Sequence, residues 1–293
     1  MLEINECPIC GSTSFENEMP VKDHSISKET FTIKSCSDCG LKITSPRPID
    51  ADLGRYYESE DYVSHSDTNK GFINTIYQQV KSITLRKKEG LLSSFNTSKT
   101  LLDIGCGTGD FLLYCKNKGW NVSGLEPDVN ARNKAQNKGL ENISDSEQLF
   151  SISNKKYGVV TMWHVLEHVA ELNKYMQALN NIIEDEGRVI IAVPNPESAD
   201  AKNYKAFWAA YDVPRHLFHF TKNNIIDLAQ KHNFIVESIK PMVFDSYYVS
   251  MLSEKYKKGS FLNAMINGLV SNIKGSSKIN HSSLIYILRK KLK

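Results

Sequence analysis

The chain has 293 residues, 41% hydrophobic and 24% charged, with a formal charge of +3; these proportions fit a globular protein of one or two domains and exclude fibrous and bulk-disordered classes. Its longest apolar runs, such as Val189 to Val193, fall far short of the roughly 18 residues that span a bilayer. The opening MLEINECPIC lacks the charged-then-apolar pattern of a secretory signal, so a cytoplasmic location is expected.

The first element is a cysteine module. CPICG and CSDCG, 25 residues apart, form two C-x-x-C pairs, Cys7/Cys10 and Cys36/Cys39, each followed by glycine (Gly11, Gly40). In a reducing compartment this spacing reads as a metal site rather than a disulfide framework. Two thiolates three positions apart grip one face of a tetrahedral ion, and the glycine lets the backbone turn toward it. Four protein thiolates leave no open position, so the expected metal is a structural zinc. In a segment this short, metal binding, worth about 10–16 kcal/mol in small zinc modules, would supply much of the stability.

SPRPID, Ser45 to Asp50, reads as the exit from this module, because each proline disfavours helix at the residue before it. Phe72, Ile76, Val80 and Ile83, with Ile73 and Tyr77, recur at helical spacing and predict an amphipathic bridging helix. Short apolar runs then alternate with helical segments: TLLDI, TGDFLLYCKNKG; WNVSGL, DVNARNKAQNKG; YGVVTM, LNKYMQALNNIIED; GRVIIAV. Such alternation predicts an α/β fold, a mostly parallel sheet with helices on both faces.

Between the first run and its helix lies D-x-G-x-G-x-G: Asp103, Gly105, Gly107, Gly109. A glycine-rich turn between strand and helix places backbone N–H groups and a helix N-terminus beside a ligand. The third glycine comes one residue earlier than in the dinucleotide fingerprint G-x-G-x-x-G. Glu126, after WNVSGL, stands where a carboxylate accepts both hydroxyls of a ribose, a feature that nicotinamide enzymes share.

LLDIGCGTGDFL, GLEPD, YGVVTMWHVLEHV and EGRVIIAVPN, in that order, resemble the successive motifs of class I S-adenosylmethionine-dependent methyltransferases over roughly residues 70–293. With the four-cysteine segment in front and YDVPRHLFHFT after the fifth strand, the chain is most similar to bacterial methyltransferases with an amino-terminal zinc-binding segment, a group that includes sugar methyltransferases. The resemblance implies a Rossmann-like three-layer sandwich with a seven-stranded, mostly parallel sheet, preceded by a zinc-ribbon-like module. The implied limits are 1–47 for the module, 48–98 for linker and bridging helix, and 99–293 for the methyltransferase domain, with inserts at 195–221 and 246–281. The last strand would be SSLIYILRK, antiparallel.

Carried onto this sequence, Asp103, Gly105, Cys106, Gly107 and Gly109 would line the methionine part of S-adenosylmethionine, and Glu126 its ribose. Pro127, Asp128 and Asp145 (or Ser146) would border the adenine. Met162, Trp163 and His164 would flank the amine and sulfonium. His168 or His216, with His219 behind them, would be the general base, and Arg215 would hold an anionic group of the substrate. HVLEH also matches the H-x-x-E-H zinc-peptidase pattern, but no second acidic helix supplies a third ligand. A hydrogen-bonded packing role for His168, and packing for the aromatics of YDVPRHLFHF, are the plain alternatives.

Charge separates the remaining readings. Residues 1–60 carry 6 Lys/Arg against 11 Asp/Glu, a net of −5, and residues 255–293 carry 9 Lys/Arg and no acid, a net of +9. An acidic amino-terminal module does not suit phosphate. The expected acceptor is therefore a small molecule, such as a sugar nucleotide or glycan intermediate, ahead of the alternative of an RNA methyltransferase that grips nucleic acid through its zinc module. A scaffold with a degenerate cofactor pocket is disfavoured by the intact glycine motif and Glu126. The basic end reads first as a solvated surface and second as a peripheral contact with an anionic membrane.

Overall fold

The computed structural model describes residues 1–57, 72–153 and 156–291. At the amino terminus, β1 (Phe15–Lys22) and β2 (Thr30–Cys36) pair antiparallel, and β3 (Lys42–Thr44) adds to β2. The bridging helix α1 (Phe72–Ser93) follows; the side chains of residues 72–77, where part of its expected apolar stripe falls, lie outside the described ones.

The alternating segments fold as read: β4 (Thr100–Ile104), α2 (Asp110–Lys116), β5 (Asn121–Leu125), α3 (Val129–Asn137), β6 (Ile143–Ser144), β7 (Tyr157–Trp163), α4 (Leu172–Ile182) and β8 (Ile183–Pro194). The helix expected through IIED stops early, because Ile183 takes extended backbone and pairs with Tyr157. Beyond β8 come α5 (Ala199–Tyr204), β9 (Phe218–His219), α6 (Lys222–Lys231), β10 (Phe234–Pro241), α7 (Asp245–Lys257), α8 (Phe261–Ser276) and β11 (Ser283–Lys290).

Seven strands form one sheet in the order β10-β11-β8-β7-β4-β5-β6, in which β11 runs antiparallel to both neighbours. The period of two along each strand divides the core between its faces. Leu101, Val159 and Ile190 pack with Leu92 of α1, Leu112 of α2 and Ala135 of α3. Leu102, Val160 and Ile191 face the other way, onto Met176 and Leu179 of α4 and Leu228 of α6. Four α4 residues, Leu172, Met176, Leu179 and Ile182, are buried, each worth about 1.5–3 kcal/mol of hydrophobic stabilisation. The result is the three-layer Rossmann-like sandwich.

The amino-terminal sheet is completed from far along the chain. β9 pairs antiparallel with β3 through Lys42↔His219 and Ile43↔Phe218. One set of buried residues joins Cys7, Ile9, Cys36, Leu41 and Ile43 to Leu217, Phe218 and the main core. Another packs Val21, Phe31 and Ile33 against Tyr204, Trp208 and Tyr211. The cysteine module thus shares its apolar core with the larger unit and draws stability from it.

Candidate active site

The turn after β4 is set by backbone geometry. Gly105, Gly107 and Gly109 all have positive φ, at 72°, 54° and 79°, which glycine adopts without penalty. Gly105 N–H and Cys106 N–H both donate to Leu125 O (2.7 and 3.1 Å), closing the turn against β5. A Cβ on Gly105 would lie 2.4 Å from Val165 and one on Gly109 2.4 Å from Leu140, whereas Gly107 faces open space. A bare, outward-facing Gly107 beside a strand end is a cradle that fits a bound ligand.

Around this turn stand most of the residues expected for the cofactor. Gly107 N–H and Asp128 N–H donate to the two carboxylate oxygens of Glu126, at 2.8 and 3.0 Å. Burial raises the Glu126 pKa above its usual value despite those donors. Asp103 accepts from the Thr161 hydroxyl at 2.6 Å, and burial pushes its pKa up to about 7. Asp128 caps α3, accepting from Ala131 N–H. Arg132 gathers Glu126 O, Pro127 O and the Asp145 carboxylate, so Asp145 borders this corner through an ion pair of 2.8 Å. Cys106 is buried, and Met162 is wholly in the core. Trp163 packs edge-on against Phe111, and its buried indole N–H has no partner among the described residues.

Lys88 of α1, absent from the sequence-based set, sits 4.1 Å above the Trp163 ring. Burial lowers its pKa, opposed by Asp103 and Asp245. Its position in the run RKKEG gave no signal, because a lysine on a helix reads as solvent-facing.

His164 ends β7 in a left-handed conformation, φ 57°. Its Nδ1 faces Glu167 at 3.3 Å and its Nε2 faces Asp245 of α7 at 2.8 Å. In the HVLEH stretch the two histidines therefore serve different neighbours. His168 stacks edge-on with His216, ring centroids 4.6 Å apart. His168 Nδ1 is 3.1 Å from Arg215 O and His216 Nδ1 is 2.8 Å from Ala210 O. A carbonyl only accepts, so each Nδ1 donates, and in the neutral His168 ring Nε2 keeps its lone pair; the Tyr57 hydroxyl lies 3.1 Å from the same His168 Nδ1. Burial, then the neighbouring His216, lowers the His168 pKa to about 4. Metal-type ligand atoms of Glu167, His168 and His216 lie within 4.8 Å of one another, and Glu167 Oε2 has no partner among the described residues.

His219, expected behind the base, and Arg215, expected to hold an anionic group of the substrate, lie deeper. His219 is buried, 3.2 Å from the Thr44 hydroxyl and edge-on to Tyr211. Arg215 is 1% exposed and is satisfied by Asp212 (2.5 and 2.9 Å), Asp23 (3.2 Å), Ser25 and Tyr56 O. Its guanidinium clamps the insert to the loop after β1. The Asp23 partner, 192 positions away in sequence, had no local signature.

The four cysteine thiols of the amino-terminal module converge within 4.8 Å, with Cys7–Cys39 and Cys10–Cys36 Sγ pairs at 3.5 Å and no disulfide. The knuckles match: Gly11 N–H donates to Cys7 O and Gly40 N–H to Cys36 O, both at 2.9 Å with positive φ. Burial raises the Cys36 thiol, but backbone N–H groups of Cys39 and Asp38 prevail and bring it to about 7. Four soft donors at this spacing fit a tetrahedral zinc.

Known proteins share this architecture. The ubiquinone biosynthesis O-methyltransferase of Rickettsia bellii (strain OSU 85-389) is 26% identical over 206 residues, covering 64% of this chain and 84% of the relative. A SAM-dependent methyltransferase from Archaeoglobus fulgidus superposes with a TM-score of 0.50 at 20% identity, over 75% of this chain and 100% of that one. Magnesium protoporphyrin IX methyltransferase from Synechocystis PCC 6803, solved with bound SAH, superposes with a TM-score of 0.52 at 15% identity, over 82% and 100%. Residues 78–239 match the family described as "Methyltransferase domain"; the chain belongs to that family and is a class I S-adenosylmethionine-dependent methyltransferase.

Proposed function

We propose that the enzyme methylates a hydroxyl of a small molecule, with the His168–His216 pair as general base and a structural zinc on Cys7, Cys10, Cys36 and Cys39. The first acceptor class to test is a nucleotide sugar or glycan intermediate; the O-methyltransferase named for the Rickettsia relative supports oxygen as the methylated atom. The observation that carries the reading is the group of Glu167, His168 and His216, one nitrogen or oxygen of each lying within 4.8 Å of the others, together with the unpartnered Glu167 Oε2. Such a group suits a ligand rich in O–H donors.

The cofactor supplies a methyl group already activated on a sulfonium, and the protein aligns the acceptor and takes its proton. Gly107 and the backbone around Glu126 would cradle the adenosyl and methionyl parts, with Trp163 N–H and Asp103 toward the methionine. His168, neutral because its pKa lies near 4, would accept the proton of the acceptor hydroxyl at Nε2 as that oxygen is methylated. The Arg215 carbonyl fixes which His168 nitrogen is bare, the Ala210 carbonyl orients the His216 ring, and Arg215, through Asp212 and Asp23, positions the insert.

The test is methyl transfer from radiolabelled cofactor to nucleotide sugars, quinols and RNA in parallel, with His168→Ala and His216→Ala. Transfer to a small molecule that falls about 10²- to 10⁴-fold in a histidine variant, with cofactor affinity kept, is the expected result. Labelling of RNA alone, or full turnover in the double variant, overturns it.

A further inference from the structure

Helix α8 is built with its amphipathicity reversed. The face packed into the protein is small or polar: Ala264, Gly268, Ser271, Asn272 and Gly275 are buried. Ser271 donates to Asp200, Asn272 to Val243 O, and Asn267 to the Tyr204 hydroxyl. Gly268 admits Tyr247 of α7, where a Cβ would come within 2.7 Å of the ring. The outward face carries the large apolar side chains: Phe261 is 69% exposed, Leu262 68%, Ile273 64%, with Ile266, Leu269 and Val270 between them. At 100° per residue these six fall on one half of the helix. Scattered exposed leucines are ordinary, but a continuous apolar face over a 16-residue helix marks a contact surface.

Charge identifies what covers it. Residues 255–280 contain five lysines, Lys255, Lys257, Lys258, Lys274 and Lys278, all exposed, and no Asp or Glu. Lys255 and Lys257 close α7, Lys258 follows in the turn to α8, and the other two stand at the far end of α8, so cations bracket the apolar stripe. A second copy docked through this face would bring two such sets together with no acid between them, which like-charge repulsion opposes. An anionic lipid surface answers both features: acyl chains take the apolar face and headgroups the lysines. We propose that α8 is a docking helix that lies in the interface of an anionic membrane. The inference stands independently of the acceptor proposed above.

Flotation of the purified full chain with vesicles of phosphatidylglycerol and phosphatidylcholine in equal parts, against phosphatidylcholine alone, tests it. Expected are binding to the anionic vesicles, its decline with salt, and weakening by about tenfold or more in Leu262→Asp and in Ile273→Asp. Lys274→Glu/Lys278→Glu, which leaves the apolar face intact, should weaken binding by about fivefold per lysine. All these positions are exposed, and an unchanged melting temperature checks each fold. Failure of the wild-type chain to float overturns the proposal. A dimer in sedimentation that Leu262→Asp dissociates, without vesicle binding, assigns the face to a second copy instead. Equal binding to both vesicle types, or Leu262→Asp and Ile273→Asp that bind as the wild type does, also overturns it.

Discussion

His164 Nε2 lies 2.8 Å from Asp245 Oδ2, so a single imidazole joins the end of β7 to the first turn of α7. Burial opposes charge on this ring, but Asp245, and Glu167 on the other nitrogen, prevail and raise its pKa from 6.5 to about 10. A histidine held protonated in the fold contributes stability that is complete below the unfolded value of 6.5 and is lost as pH rises through about 10. In Asp245→Asn that contribution shrinks to what Glu167 alone sustains. Urea midpoints should fall more steeply with rising pH over this window in the wild type than in the variant, and NMR titration of the ring should place its pKa far above 6.5. A ring titrating near the unfolded value would refute the bridge.

Gly105 and Gly107 share a left-handed backbone but differ in what surrounds them. A Cβ at Gly105 meets Val165 at 2.4 Å, while one at Gly107 meets nothing within 4 Å. Both alanine variants carry the backbone penalty of about 1–2 kcal/mol; only Gly105→Ala adds a clash. Thermal melting should therefore show the larger loss for Gly105→Ala. Calorimetry should show Gly107→Ala weakening cofactor binding beyond its effect on stability. Undiminished cofactor affinity in Gly107→Ala would remove that residue from the cradle.

Asp103 is buried, with a pKa pushed up to about 7, and Lys88 is the opposing charge. A carboxyl shifted to this range titrates near neutral pH rather than far below it. Binding of a cationic ligand beside it favours the carboxylate and expels that proton, so affinity should rise as pH rises through about 7. Calorimetric binding enthalpies measured in buffers of different ionisation heat should reveal the released proton, and Asp103→Asn should abolish the buffer dependence. Buffer-independent enthalpies in the wild type would detach Asp103 from the cofactor.

The parts legible in the sequence are those with local periodicity or fixed spacing. The strand–turn–helix of Asp103 to Asp110, the paired C-x-x-C knuckles and the late antiparallel strand each lie in one short stretch, and all three are present. What stayed hidden depends on distant pairing. β9 is two residues long, too short for any pattern, and exists because β3 needs a partner. Lys88 and the Asp23–Arg215 pair are charged residues that composition assigns to the surface, yet Lys88 lies over the Trp163 ring and the pair is buried. α8 lies in the stretch expected only as an insert at 246–281, and its polar side turns inward against the usual pattern that marks a surface helix.

His168 keeps an unprotonated ring because burial and His216 lower its pKa to about 4. If this ring takes the acceptor's proton, kcat/KM should stay level as pH falls through 6.5 and decline only toward about 4. His216→Ala removes one of the two causes, so any residual activity should show its acidic limb displaced upward. A limb near 6.5 in the wild type would exclude His168 as the base.

The thiol knuckles and the proposed base are mechanically linked through β3. Thr44 N–H donates to Leu217 O at 2.9 Å, Leu217 N–H donates to Glu167 O at 2.8 Å, and the Thr44 hydroxyl donates to His216 O at 2.7 Å. The cradle between β4 and β5 takes part in none of these hydrogen bonds and meets the module only through the shared apolar core, where Ile104 and Leu125 belong to the same buried set as Cys7 and Cys36. Disordering the module, by Cys36→Ser or by a chelator that removes the proposed zinc, should therefore lower the melting temperature and kcat while leaving cofactor affinity nearly intact. Melting, turnover and calorimetric titration on the same preparations check this. Equal loss of cofactor binding would mean that the module supports the whole fold rather than the acceptor side, and unchanged turnover in a metal-free preparation would break the link to His216.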